Sequence, residues 1–201
     1  MKSQSADDTG RRILDATIAA VTAFGTKHAS VEAIAKRAGV SHMTVYRRWP
    51  RKEQLFAAAF DREAGALYAS LDAVVAGEDD FENALVVGFT EIFWTFYNHP
   101  LVTGEYERSP EVVLMAFTAA AEPTMRRSID YLAGQVESRA GLSGELATAL
   151  AECSVRITHS LLLTSLASRP FADRSAVSVW ARTTLLPLMQ IATRSAGEPG
   201  R

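Results

Sequence analysis

The sequence predicts an all-α protein of about nine to ten helices, in which a three-helix head is joined to a larger helical body. Three observations favour this class. Apolar residues recur three and four positions apart, no segment alternates as a half-buried strand does, and glycine or proline separates the periodic segments. We therefore divide the chain into residues 1–55 (the head) and 56–201 (the body).

The first helix is predicted to begin at Thr9 or Gly10 and to end at Gly25. Its apolar positions fall on one side, as expected of a helix that packs against a core. The predicted inner face consists of Ile13, Leu14, Thr17, Ile18, Val21 and Phe24.

Two short helices around a tight turn are predicted between residues 31 and 49. Ser30 is a suitable N-cap for the first helix, and Gly39 supplies the conformational freedom that the turn needs. In the second helix Val45 and Trp49 point inward, and the helix ends at Trp49 because a proline follows. The inward positions of the first helix are Ile34, Ala35 and Ala38. This pattern is typical of a helix-turn-helix, whose second helix enters the major groove of DNA, although other packed helix pairs share its spacing.

Polar and basic side chains cover the outward face of this second helix and the start of the next. Residues 41–44 are assigned to base edges, whereas Ser30 and Lys52 lie at helix starts, where a phosphate is favoured. The arginines either read guanine or bind the DNA backbone, and Tyr46 either bonds a phosphate or packs in the core. The candidate DNA contacts are Ser30, Ser41, His42, Met43, Thr44, Tyr46, Arg47, Arg48, Arg51 and Lys52.

Charge is segregated along the chain although the net charge is only −2. Residues 9–55 carry nine Lys or Arg against three Asp or Glu, a net charge of +6. Residues 56–201 carry eleven Arg, no Lys and eighteen Asp or Glu, a net charge of −7. A basic head on an acidic body indicates that the head binds nucleic acid and that the body does not.

The head resembles the N-terminal signature of the TetR family of bacterial one-component regulators over about fifty residues. The matching residues are Phe24–Gly25, Ser30, Ile34–Ala35, Ala38–Gly39–Val40–Ser41, Tyr46, Trp49, Lys52–Glu53 and Leu55. The resemblance implies a homodimer that binds a near-palindromic operator and an effector pocket in the body. The matching family tyrosine binds a phosphate, which favours that role for Tyr46. One departure is Arg51, where members often have Ser or Asn, so the usual side-chain N-cap of the next helix is not assured.

The body is predicted to form helices at about 52–75, 81–97, 101–120, 123–139, 144–168 and 174–194, with an interruption at Ser109–Pro110. Helix 81–97 carries a dense apolar and aromatic stripe, which is ordinarily core but also suits an apolar ligand pocket. The candidate ligand-binding residues are Phe89, Phe93, Phe96, Tyr106, Met115, Phe117 and Met125, with Glu105, Arg156 and His159 as polar anchors.

The last two predicted helices hold more apolar residues than one buried face of each accommodates, so a second face is expected to meet a partner. By resemblance to the family, that partner is a second copy, in a four-helix bundle across a two-fold axis. The candidate interface residues are Leu162, Leu166, Trp180, Leu185 and Met189.

Catalysis is not indicated by any motif. The four histidines are scattered, and no HExxH, Cys/His cluster, phosphate loop or GxSxG occurs. We therefore expect no enzymatic activity, no cofactor and no metal site.

Compartment follows from three features. The chain has no run of eighteen uncharged apolar residues, no apolar N-terminal signal, and one cysteine, Cys153, so no membrane span or intramolecular disulfide is expected and the cytoplasm is the predicted location. The predicted function is that of a repressor released from DNA by a small, apolar effector. The alternative is a DNA-binding regulator or architectural protein with no effector.

Overall fold

The computed structural model describes residues 2–118, 122–142, 144–168 and 170–190, and the side chains within 8–114, 118, 122–142, 144–164 and 170–190. In these ranges the chain forms ten α-helices, one π-helical segment and no strand. The predicted all-α class is confirmed. The helices are α1 (Lys2–His28), α2 (Val31–Ala38), α3 (His42–Arg48), α4 (Lys52–Val75), α5 (Phe81–Tyr97), α6 (Pro100–Arg108), α7 (Pro110–Phe117), α8 (Glu122–Ala140), α9 (Gly144–Ser168) and α10 (Arg174–Trp180), which continues into the π-helical segment (Ala181–Leu185).

Two compact units divide the chain. The first consists of Met1–Ala69 with His99–Pro110, and the second of Ser70–Asn98 with Glu111–Arg201. Helix α4 contributes to both, and α6 belongs to the first unit although it follows α5 in sequence. The functional division at residue 55 stays a prediction.

The core of the first unit is formed by α1, α2, α3 and the start of α4. Ile13, Ile34, Val45 and Leu55 are fully buried in it, and Trp49 packs at its edge as predicted. The prediction for Phe24 is wrong, because 57% of this residue is exposed. Helix α6 meets this end of α1 with charged side chains, which offer Phe24 no apolar partner.

The first helix is longer than predicted, since it begins at Lys2 and continues for a short turn beyond Gly25. Gly25 nevertheless interrupts the helical backbone, with φ 77° and ψ 164°. A side chain with a β-carbon rarely adopts this φ, so glycine is required where the chain bends. The break predicted at Gly25 is therefore present as a kink within α1.

The helix-turn-helix has the caps that its sequence predicts. Ser30 Oγ accepts a hydrogen bond from Ala33 N at 3.1 Å, which satisfies an N–H at the start of α2. Gly39 ends α2 in the left-handed conformation, at φ 67°, and its N–H bonds Lys36 O. These two caps fix the turn that sets α3 against α2.

The second unit is built around α5, whose buried side chains meet α8, α9, α10 and the π-helical segment. Phe89, Phe93 and Tyr97 form a ladder of stacked rings along α5, with centroid separations of 5.8 and 5.5 Å. Phe171, in the turn before α10, and Trp180 complete this aromatic cluster. The stripe predicted on helix 81–97 is therefore packed within the second unit.

The last helix departs from the prediction of one regular helix over 174–194, because residues 181–185 adopt π-helical spacing. The cause is Pro187, which has no N–H to donate to the Thr183 carbonyl and whose ring crowds that carbonyl. The backbone widens in the turn before it. Residues beyond 190 lie outside the described part of the chain.

Candidate nucleic-acid interface

Helix α3 presents an exposed polar face on a firmly packed base. Val45 is buried with 1% exposure and attaches α3 to the core, while Met43 is 64% exposed. His42, Tyr46 and Arg47 are also exposed, and the rings of His42 and Tyr46 meet edge to face with centroids 6.4 Å apart. The predicted division into inward and outward positions is thus present in the structure.

Ser41 and Thr44, both predicted to reach base edges, are engaged with each other. Ser41 Oγ accepts from Thr44 N at 3.2 Å and caps α3, and the two hydroxyl oxygens are 3.0 Å apart. A hydroxyl can donate and accept at once, so this pair retains hydrogen-bonding capacity toward a base.

The arginines at the end of α3 differ in their surroundings. Arg47 is exposed. Arg48 Nη1 lies against α1, where a β-carbon on Gly10 would approach it to 3.2 Å. The contact with α1 favours a positioning or backbone-binding role for Arg48 over the reading of a base.

Lys52, the first residue of α4, is held in place before any DNA arrives. Its Nζ donates to Thr26 O at 3.1 Å and lies 5.1 Å from the centroid of the Phe56 ring. Thr26, Lys27, Lys52, Glu53 and Phe56 line a surface cleft of about 200 Å³. The cleft places an ammonium group beside the start of a long helix, an arrangement that favours an anion.

Arg51 does not cap α4, because a guanidinium has no acceptor atom. Instead Gln54 Oε1 accepts from Arg51 N at 3.2 Å, which is one half of a capping box. The first N–H groups of α4 therefore do not have an N-cap side chain in front of them.

Helix α6 holds the kink of α1 through two charged residues that sequence reasoning did not assign to the head. Glu105 is buried and accepts from Thr26 N and Thr26 Oγ1, at 3.1 and 2.7 Å. Arg108 donates to the carbonyls of Val21 and Thr22, at 3.3 and 3.0 Å. These partners are about eighty positions apart in sequence, so local spacing carries no signal for them.

The residues predicted to bind a ligand are not brought together. Glu105 and Tyr106 belong to the first unit, whereas Phe89 and Phe93 are packed in the core of the second and Phe96 borders it. Arg156 is exposed and pairs with Glu152 one helical turn away, at 2.6 Å. Two further candidates, Met125 and His159, are partly buried on α8 and α9, and the side chains of Met115 and Phe117 lie outside the described set.

Most residues predicted at the dimer interface are already covered within one chain. Leu162, Leu185 and Met189 are buried in the core of the second unit, and Trp180 packs against it. The side chain of Leu166 lies outside the described set. The exposed apolar residues of the last helical segment are instead Val179 and Leu188, at 58% and 49% exposure.

Comparison with known proteins assigns the head. Residues 13–59 match the family model for bacterial regulatory proteins of the tetR family. The chain belongs to the TetR family. The match covers the caps, the exposed face of α3 and Lys52, so the predicted resemblance is confirmed.

Curated relatives of this TetR-family chain are named as transcriptional regulators. An uncharacterized HTH-type regulator of Mycobacterium tuberculosis is 48% identical over 59 residues, which are 28% of this chain and 31% of the relative. The repressor KstR of the same species is 29% identical over 145 residues, 71% of this chain and 63% of KstR. The chain thus spans less than two thirds of the length of these relatives.

Solved structures extend the likeness to the whole fold. The TetR-family repressor AlkX of Dietzia, implicated in biodegradation of n-alkanes, has a TM-score of 0.67 at 18% identity, over 90% of this chain and 94% of AlkX. FadR of Bacillus subtilis, solved with stearoyl-CoA, has a TM-score of 0.58 at 18% identity, over 89% of this chain and 96% of FadR. At this identity the likeness establishes the fold, a helix-turn-helix head on a helical domain.

Family and relatives are transcriptional regulators, and DNA binding through the helix-turn-helix is the class of function that membership assigns. Among the described residues no three His, Cys, Asp or Glu side chains cluster as metal ligands would. None of the helices in the described ranges combines the length and the apolar character that a bilayer crossing requires.

Proposed function

We propose that this TetR-family chain is a transcriptional repressor that binds a near-palindromic DNA operator as a homodimer in the cytoplasm. The observation that carries the proposal is α3, a recognition helix whose buried Val45 fixes it to the head while His42, Met43 and Arg47 remain exposed. Such a helix fits the major groove, and two copies related by a two-fold axis read two half-sites.

Within each half-site we assign phosphate contacts to the residues around α3 and base contacts to its first turn. Lys52 and Ser30 stand at the starts of α4 and α2, and the Tyr46 hydroxyl is exposed beside them in sequence. His42, Met43 and Thr44 lie in the first turn of α3, where base edges are reached. Phosphate contacts supply affinity, and base contacts supply sequence preference.

The homodimer is proposed to form through the outer surface of the last two helices. Val179 and Leu188 are large apolar side chains that one chain leaves exposed there. Burial of such groups against a second copy removes apolar area from water, which is the main driving force of association. Leu185 and Met189 support this surface from beneath.

A small, apolar effector is proposed to bind in the second unit. The support is the aromatic cluster of α5, Phe171 and Trp180, together with the ligands in the names of the structural relatives, stearoyl-CoA for one FadR and resorcinol for RolR. Rings in contact with one another adapt to an apolar guest by parting, provided that the guest replaces their contacts.

A regulator without an effector is the second candidate, and the same cluster favours it. Phe93 has 0% exposure and touches Phe89, Tyr97 and Phe171 on different sides. Rings fill this space in the structure. A body packed solid around Phe93 would act as a dimerisation domain alone.

Selection of binding sites from random double-stranded DNA with the full-length chain tests the DNA-binding proposal. The expected product is a symmetric sequence whose half-sites are centred about 34–36 Å apart, one helical turn, as for standard helix-turn-helix dimers. Footprinting of the selected site should show two symmetric protected regions. Recovery of unrelated sequences with no shared pattern would contradict the proposal.

A further inference from the structure

Thr26 is held from two sides by residues that approach from different helices. Its N–H and hydroxyl donate to Glu105 of α6, and its carbonyl oxygen accepts from Lys52 of α4. One residue therefore connects a buried carboxylate to the lysine that we assign to a DNA phosphate.

The kink at Gly25 makes this arrangement necessary. In a continuous helix Thr26 N–H would bond the carbonyl of Thr22, but the backbone of Gly25 turns it away. Both groups then find partners on α6, because Thr26 N–H donates to Glu105 and the Thr22 carbonyl accepts from Arg108. A buried polar group without such partners would be costly, so α6 stabilises the kinked form.

The contact between α6 and the kink is closely fitted. A β-carbon at position 25 would lie 3.1 Å from Glu105 Oε2 and 3.2 Å from Arg108 Nε. These distances leave no room for a side chain, and the left-handed φ of Gly25 excludes one independently.

We propose that Glu105 is a positioning residue for DNA binding, which orients Thr26 and, through the Thr26 carbonyl, the ammonium group of Lys52. Glu105 itself does not touch DNA. A lysine side chain carries many rotamers, and one that is already oriented loses less conformational entropy when it meets a phosphate. This inference rests on the proposed function.

Substitution of Glu105 separates positioning from charge. Loss of a negative charge near the DNA would by itself strengthen binding, because DNA is a polyanion. Glu107→Gln, an exposed site on the same helix, removes the same charge without touching Thr26 and serves as the matched control. Glu105→Gln should instead weaken operator binding about fivefold per half-site, the size expected for one charge-assisted hydrogen bond.

The test is a double-mutant cycle between Glu105→Gln and Lys52→Ala, measured by fluorescence anisotropy with the selected operator and the full-length chain. We expect Glu105→Gln to weaken the wild type but to have no further effect once Lys52 is alanine, since the two act through one path. Equal affinities of Glu105→Gln and Glu107→Gln would overturn the inference. So would a loss of the same size in the Lys52→Ala background.

Thr26→Val keeps the test decisive if Glu105→Gln does not fold. Valine has nearly the shape of threonine and retains the N–H bond, but it lacks the hydroxyl that donates to Glu105 at 2.7 Å. A smaller, Lys52-dependent loss of affinity is expected, and no loss would contradict the inference. If the wild type selects no DNA sequence at all, the proposed function fails; if it binds its operator and Glu105→Gln behaves as Glu107→Gln does, the positioning role alone fails.

Discussion

Among single residues, Lys52 and His42 separate the two kinds of DNA contact that the head makes. Lys52 is a cation at the start of α4, held by Thr26 O, whereas His42 is exposed in the first turn of α3. A phosphate contact is the same on every sequence, and a base contact is not. Their substitutions should therefore have different signatures.

We predict that Lys52→Ala weakens binding to all DNA sequences and lowers the slope of log affinity against log salt by about one unit per half-site, because one counterion fewer is released. His42→Ala should leave that slope unchanged and relax the preference for one base pair. Anisotropy titrations over a salt series, on operator and point-mutated operators, measure both. A Lys52→Ala variant with altered sequence preference and an unchanged salt slope would refute this assignment.

At the scale of helices and turns, two glycines allow backbone strain to be measured without a change in packing. No atom lies within 4 Å of a β-carbon placed on Gly39 or on Gly65. Gly39 has φ 67° at the end of α2, whereas Gly65 lies inside α4 and has no left-handed φ.

Gly39→Ala should lower the free energy of unfolding by about 1 kcal/mol, the cost of a left-handed conformation for a residue with a β-carbon. Gly65→Ala, the matched control, should raise it by roughly 0.5–1 kcal/mol, since alanine favours a helix interior. Urea denaturation of both variants provides the comparison. Equal effects of the two substitutions would show that the turn at Gly39 does not need its left-handed backbone.

The last helical segment should carry the dimer contact on its exposed side chains. Val179→Arg and Leu188→Arg are expected to yield monomers with an unchanged helical circular dichroism spectrum, because an unpaired charge is costly in a buried interface. Leu114→Arg, at an exposed leucine of α7, is the control and should remain dimeric. Sedimentation equilibrium distinguishes the species, and dimers in both test variants would place the interface elsewhere.

Sequence reasoning was most successful for the helices, because their apolar spacing, caps and breakers are local signals. Ser30, Gly39 and the break at Ser109–Pro110 mark helix ends that the structure contains. Pro187 was also a local signal, and its effect on the preceding turn follows from its missing N–H.

The site residues were less accessible to sequence reasoning. Exposure of α3 follows from helical periodicity, so the recognition face was predictable. The role of Glu105 was not, because its partner Thr26 is 79 positions away and only the folded chain brings them together. Apolar periodicity likewise cannot distinguish a core from an interface, which is why Leu162 and Leu185 were predicted to meet a partner although both are buried within one chain.

For the whole molecule, an effector must favour the arrangement that does not bind DNA. A tenfold loss of operator affinity requires about 1.4 kcal/mol of coupling, and thermodynamic linkage makes this coupling reciprocal. A panel of small aromatic and long-chain compounds can be screened by the rise in melting temperature that a ligand of the native state produces.

We predict that saturating operator weakens the binding of any such effector by the same factor by which the effector weakens operator binding. Isothermal titration of the effector with and without operator DNA gives that factor directly. An effector with identical affinity in the two titrations would not be a release signal, and failure of the whole panel would favour the regulator without an effector.

The central claim is that the head reads a DNA sequence, and the ratio of affinities for the selected operator and a scrambled duplex of equal length tests it most directly. Both are measured with the full-length chain at one physiological salt concentration, because affinity for any DNA depends on salt. We predict a ratio of about 10³ or more, as is typical of specific regulators. Equal affinities for the two duplexes would contradict the account.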